Sequence, residues 1–266
     1  MMNSFALRLL AATAACHFAW LGSAAAQQKP RHAEHNQRQQ DFVHGAPSKP
    51  STTWLLSAGG RRIYDTWWDA LDRKKPEGTN PAYPASAQRK GATTWRCVEC
   101  HGWDYKGKDG LYSSGERFTG ITGIRKAKGR DPIAIAGMLR KPPHSYTPDM
   151  ITDEELQRVA AFVSRGQHNV DRLIDNKTAK VKGDAERGKG FFQTICAACH
   201  GFDGRMLDWG TKEEPAYIGT EASRLPHEVL HKMRNSHPGA AMINLRALPL
   251  QDAIDILAYA QTLPVK

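Results

Sequence analysis

From about residue 57 onward, apolar residues recur at the three-and-four spacing of amphipathic helices, and the same order of elements is stated twice. In the first copy Ile63, Tyr64, Trp67, Trp68 and Leu71 form one helical stripe after Ser57; in the second, Asp184 caps a segment whose Phe191 and Ile195 lie four apart. Asp131-Pro132 opens a middle helix over Ile133 to Lys141, and Leu225-Pro226 opens its counterpart, running to Asn235. The closing helices match as well. Thr152-Asp153-Glu154-Glu155 is a capping box followed by Leu156, Val159, Ala160 and Val163 at core spacing. Pro249 begins the second, with Leu250, Ala253, Leu257 and Ala260 on one face. The expectation is an all-α protein of two tandem helical domains, residues 57–168 and 183–266, joined by a polar linker over 169–182. The copies are unequal: residues 74–94, with Pro76, Pro81 and Pro84, form an excursion before the first copy's cysteines that the second lacks. Two readings stand for it: a proline-stiffened surface loop, or a segment that binds a partner or covers a cofactor edge.

The N-terminal pattern is different. Arg8, an apolar run from Leu9 to Leu21 and the small residues Ala24 to Ala26 form a secretory signal peptide over residues 1–26. The run is shorter than a membrane anchor requires, so no membrane span is expected after cleavage. Cys16 lacks the large aliphatic residue upstream that lipid attachment would call for. Residues 27–56 are rich in Gln, His, Pro, Ser and Lys and read as a flexible leader. His32, His35 and His44 there read as solvated linker positions.

Charge and cysteine usage narrow the function. The 37 Lys and Arg exceed the 27 Asp and Glu by a formal charge of +10, which favours partners with acidic surfaces. Export, and the lack of a continuous Lys/Arg stripe, argue against nucleic acid. Besides Cys16, the only cysteines are Cys97 and Cys100 in Cys97-Val98-Glu99-Cys100-His101, and Cys196 and Cys199 in Cys196-Ala197-Ala198-Cys199-His200. An exported chain with no cysteines left for disulfides is using them otherwise.

Both motifs have the C-x-x-C-H form of a c-type haem attachment site. Two thiols about one turn apart suit the two vinyl groups of one porphyrin, and the adjacent His101 or His200 then lies at the iron. Four cysteines in pairs would also suit one zinc, but zinc does not require a histidine after each pair. For the second axial position Met150 and Met242 are the favoured candidates, each in a loop just ahead of a closing helix. Their rivals are Met138 and Met233, which read as core filler within helices, and His144 and His237, which read better as partners of propionates or loop backbone. Trp67, Trp68, Trp95, Trp103 and Tyr105 suit packing against a macrocycle as well as they suit an electron path. His227 and His231, four apart on one helix, read as a solvated pair.

With these motifs, the methionine loops and the closing Leu257-Ala258-Tyr259-Ala260-Gln261 helix, both copies resemble class I cytochrome c domains, and the chain resembles the tandem dihaem cytochromes c of bacteria. The resemblance implies two covalently bound haem c groups, thioether links through Cys97, Cys100, Cys196 and Cys199, proximal ligation by His101 and His200, and distal ligation by Met150 and Met242. It implies a periplasmic electron carrier rather than an enzyme, working with acidic redox proteins such as a dehydrogenase, an oxidase or a reductase. The alternatives are an enzyme with one catalytic haem, of peroxidase or thiosulfate-oxidising type, and an electron-accepting subunit bound tightly to a dehydrogenase.

Overall fold

The backbone is helical where the periodicity calls for helix, and local side chains set several of the helix starts. The computed structural model describes residues 59–266; the expected signal peptide, the polar leader with its three histidines, and Ser57 lie outside them. In chain order the α-helices are α1 (Arg61–Leu71), α2 (Cys97–His101), α3 (Pro132–Leu139), α4 (Asp153–Ala161), α5 (Ala185–Phe191), α6 (Ala197–His200), α7 (Ile218–Arg224), α8 (Pro226–Asn235) and α9 (Leu250–Ala260). Among the described residues the only β pairing consists of the isolated bridges Gly107–Thr122 and Ile174–Val181. No helix there is long and apolar enough to cross a membrane.

Caps follow the rules that predicted them. The Asp131 carboxylate accepts from Ile133 N–H, with Pro132 at the first helical position of α3. Thr152 and Glu155 close both hydrogen bonds of the capping box on α4, at 3.3 and 2.8 Å. Asp184 accepts from Arg187 N–H at the start of α5. Helix α1 is interrupted at Thr66, whose φ of −146° and ψ of 94° are not helical. Helix α7 was not anticipated by the sequence pattern.

Two apolar clusters organise these elements. The first gathers Ile63, Tyr64, Trp67, Trp68, Val98, Trp103, Tyr105, Tyr112, Phe162 and the buried face of α4. The second gathers Phe192, Val229, Leu230, Met233 and most of α9. Burying an aromatic side chain removes roughly 150–250 Å², worth about 4–6 kcal/mol at ~25 cal/mol/Å². Trp67 and Trp103 therefore outweigh any surface ion pair. The segment expected to be a linker contributes Val170, Ile174 and Val181 to the second cluster, because its few apolar residues turn inward across the Ile174–Val181 bridge.

The clusters repeat one crossing. A Cβ on Gly60 would lie 2.1 Å from the Arg158 carbonyl oxygen, and one on Gly188 1.9 Å from that of Asp255. In each copy a glycine lets the opening segment touch the backbone of the closing helix, at its sixth residue in both cases.

The described residues belong to a single unit, and α8 ties the copies together. Lys232 Nζ lies 2.9 Å from the Asp65 carboxylate, and the His231 ring nitrogen Nε2 bonds the Arg61 carbonyl at 2.9 Å. His227 Nε2 meets Asn176 Oδ1 at 2.7 Å, and Asn176 Nδ2 donates to Asp104. His227 and His231 are therefore buried and partnered, not the solvated pair that their spacing suggested. The groups that cover them come from segments far away in sequence.

Candidate haem-binding site

Helix α2 is little more than one turn, and both its ends are pinned. It stops at Gly102, where φ of +80° breaks the helix while Gly102 N–H still bonds the Val98 carbonyl. The Tyr64 hydroxyl donates to the Gly102 carbonyl at 2.7 Å, and Gly107 N–H donates to that of His101 at 2.9 Å. At the other end Arg96 bonds the Asp65 carbonyl and carboxylate and also reaches Glu99. Glu99 is wholly buried and faces Arg89, Arg96 and Arg117 at 3.2–3.3 Å. A carboxylate without water needs such compensation. Burial raises the pKa of Asp65, but Lys232 and Arg96 overcome it and hold this carboxyl well below the usual range.

Cys97, Cys100 and His101 open onto a cavity of about 530 Å³. Its walls include Ile121, Ile124, Ala127, Ile135, Leu139, Val159 and Val163, with Met138, His144 and Tyr146 on the side of α3 and the loop after it. Asn80 and Ala82 bring the 74–94 excursion into the wall, where Asn80 N–H bonds Thr94 Oγ1 at 2.9 Å. The excursion is thus part of the site and not only a surface loop. Lys126 and Arg130 also line the cavity, and neither takes part in an ion pair among the described residues.

The cavity chemistry suits a haem attached through Cys97 and Cys100. Its volume is that of a cofactor pocket, roughly 300–1,000 Å³. Burial pushes the Cys97 thiol up to about 11 and the Cys100 thiol up to about 12, so both stay protonated at neutral pH. His101 Nδ1 is 2.8 Å from the Thr122 carbonyl, the outer hydrogen bond that fixes the ring of a metal-binding histidine and leaves Nε2 for the metal. Burial lowers the His101 pKa to about 4, which keeps the ring neutral and its lone pair available. Burial also lowers His144; the Met138 carbonyl opposes this electrostatically without reaching hydrogen-bond geometry.

The second motif reproduces the turn. Gly201 adopts φ +79° and ψ 156° against +80° and 154° at Gly102. Gly201 N–H bonds the Ala197 carbonyl, and Met206 N–H bonds that of His200 at 3.0 Å, six residues on as in the first copy. Burial pushes the Cys196 thiol up to about 11, whereas Cys199 is exposed. His200 differs from His101: its Nδ1 is buried without a hydrogen bond, and its ring lies 5.9 Å from that of Trp209 and 6.5 Å from that of Phe192. Phe202, Met206 and Trp209, at least half exposed, follow this motif.

The other expected ligands are placed unevenly. Met150 packs against the first apolar cluster and is absent from the cavity wall. Met138 was expected as core filler but is 48 % exposed and lines the cavity, because α3 turns only Ile135 fully inward. Met233 is the core residue that its helix position suggested. Met242 is half-buried against the second cluster, with its carbonyl accepting from the Ser236 hydroxyl, and His237 Nδ1 lies 2.6 Å from the Pro238 carbonyl. The cavity role of Asn80, Ala82, Thr122 and Tyr146 left no sequence signal, since none lies near the motif in a fixed pattern.

No curated protein matches the chain. The family model for cytochrome c matches residues 88–167, from the excursion through α2 and the cavity wall to the end of α4, so this part of the chain is a cytochrome c domain that binds haem c covalently.

Proposed function

We propose that the chain is an exported dihaem cytochrome c that passes electrons one at a time between periplasmic redox partners, with one haem in each copy. The observation that carries this reading is the repeated motif turn: C-x-x-C-H on a short helix, a positive-φ glycine, and a backbone bond from six residues on to the histidine carbonyl, in both copies. The first copy has the family match beside it.

Haem iron would supply a one-electron couple at each site. The residues of this chain would do the rest. In the first copy Cys97 and Cys100 anchor the group, His101 ligates through Nε2, and Lys126 and Arg130 at the cavity edge neutralise propionates. The apolar walls exclude water, so oxidation would be accompanied by little rearrangement. In the second copy Cys196, Cys199 and His200 do the same, with Met242 as the proposed distal ligand, and Phe202, Met206 and Trp209 provide apolar surface for a macrocycle to cover. A formal charge of +10 suits acidic partners.

The test is the intact mass of protein made in a host that attaches haem, together with the haem colour that survives denaturation. Two covalent haems per chain are expected. One haem, with Cys196 and Cys199 as free thiols, would reduce the reading to a monohaem cytochrome.

A further inference from the structure

We infer that His144, and not a methionine, is the distal ligand of the first haem, so that this site is bis-histidine; the inference rests on the haem reading above. The His101 and His144 rings both line the cavity, with their centres 6.1 Å apart and their planes inclined by 34°. That separation is too wide for stacked rings and involves no hydrogen bond between them. It is what a shared metal requires: with each ring nitrogen about 2 Å from one first-row metal ion, the ring centres sit about 6 Å apart.

Neither ring is committed elsewhere through both nitrogens. His101 spends Nδ1 on the Thr122 carbonyl, and His144 Nδ1 is buried without a hydrogen-bond partner. The methionines fit less well. Met150, in the loop before α4, packs its side chain against the apolar cluster and does not line the cavity. Met138 lines it but leaves nearly half its surface to solvent on α3. A second imidazole in place of a thioether lowers the reduction potential, so the first haem would be the lower-potential site if Met242 serves the second.

The experiment uses the full-length holoprotein and the variants H144A, M138L and M150L, each first checked by mass for covalent haem. Spin state and axial ligands are then read by electron paramagnetic resonance and near-infrared magnetic circular dichroism. In H144A one haem equivalent should leave the bis-histidine low-spin form, becoming high-spin or adding a second methionine band to the one that Met242 gives the other haem. Added imidazole should restore the original signal. M138L and M150L should leave the first haem's spectrum unchanged. Retention of the wild-type spectrum by H144A, or conversion of the first haem to high spin by M138L or M150L, would overturn the assignment. Absence of haem on Cys97 and Cys100 in the wild type would instead defeat the haem reading itself and the ligand assignment with it.

Discussion

Gly188 and Gly190 lie two residues apart in α5, yet replacing each with alanine should move stability in opposite directions. A Cβ on Gly188 would sit 1.9 Å from the Asp255 carbonyl oxygen, 2.3 Å from the carbonyl carbon and 2.8 Å from Ile256 N. These are backbone atoms of α9, so no rotamer change can relieve the contact. Reaching 3.4 Å, where ordinary contact begins, means opening the crossing by about 1.5 Å and loosening the packing of Ile254, Ile256 and Leu257. Overpacking of this kind costs roughly 1–3 kcal/mol, and a rigid backbone clash belongs at the upper end. Alanine returns about 0.8–1 kcal/mol of helix propensity. The net effect of G188A is thus a loss of about 2 kcal/mol. At Gly190 a Cβ meets nothing within 4 Å and the position is exposed, so only the propensity gain of about 0.5–1 kcal/mol remains. Thermal unfolding of the holoprotein followed by far-ultraviolet circular dichroism separates the two, since 1 kcal/mol moves Tm by roughly 2–4 °C at this size. A G188A protein that melts at or above the wild type, or a G190A protein that falls as far as G188A, would show that the α5–α9 crossing is not a backbone contact.

Three further outcomes are expected. Replacing Asp65 with asparagine strips Lys232 of its partner across the copies and should cost about 3 kcal/mol at neutral pH, by urea unfolding. Because the folded-state pKa of Asp65 lies below its ordinary value of 3.8, its contribution is present above that value and lost as pH falls below it. The gap between wild type and D65N should therefore narrow in acid; a gap independent of pH would exclude the charge as its origin. T152A removes one half of the capping box and should lower stability by about 1 kcal/mol, with the loss absent if the helix start is held by α3 instead. Association with an acidic redox protein should weaken steadily as salt rises, measured by titration at several ionic strengths; a constant affinity would place recognition on apolar surface.

Residues close together in the chain foretold much of this molecule. Asp131 with Pro132, Thr152 with Glu155, and Asp184 each cap a helix through contacts within a few residues, so the starts of α3, α4 and α5 were legible without tertiary knowledge. The C-x-x-C-H motif within the cytochrome c domain was equally local, since it carries its chemistry in five consecutive positions. The readings that failed each depended on which distant segment covers a side chain. His227 and His231 have the spacing of a solvated pair, but Asn176 and the Arg61 carbonyl bury them. Helix membership favours Met150 over Met138 as a ligand, whereas only Met138 lines the cavity and Met150 packs into the apolar cluster. The polar look of residues 169–182 concealed three inward-facing apolar residues. Glycine appeared in sequence only as a break, and its use at 60 and 188 as a backbone contact required the closing helices to be in place. The sequence by itself therefore determined the C-x-x-C-H motifs and the capped helix starts, because both are set within a turn or two of chain. Only the tertiary structure decided which imidazole faces His101 and how the two copies join, because those follow from where segments far apart in the chain meet.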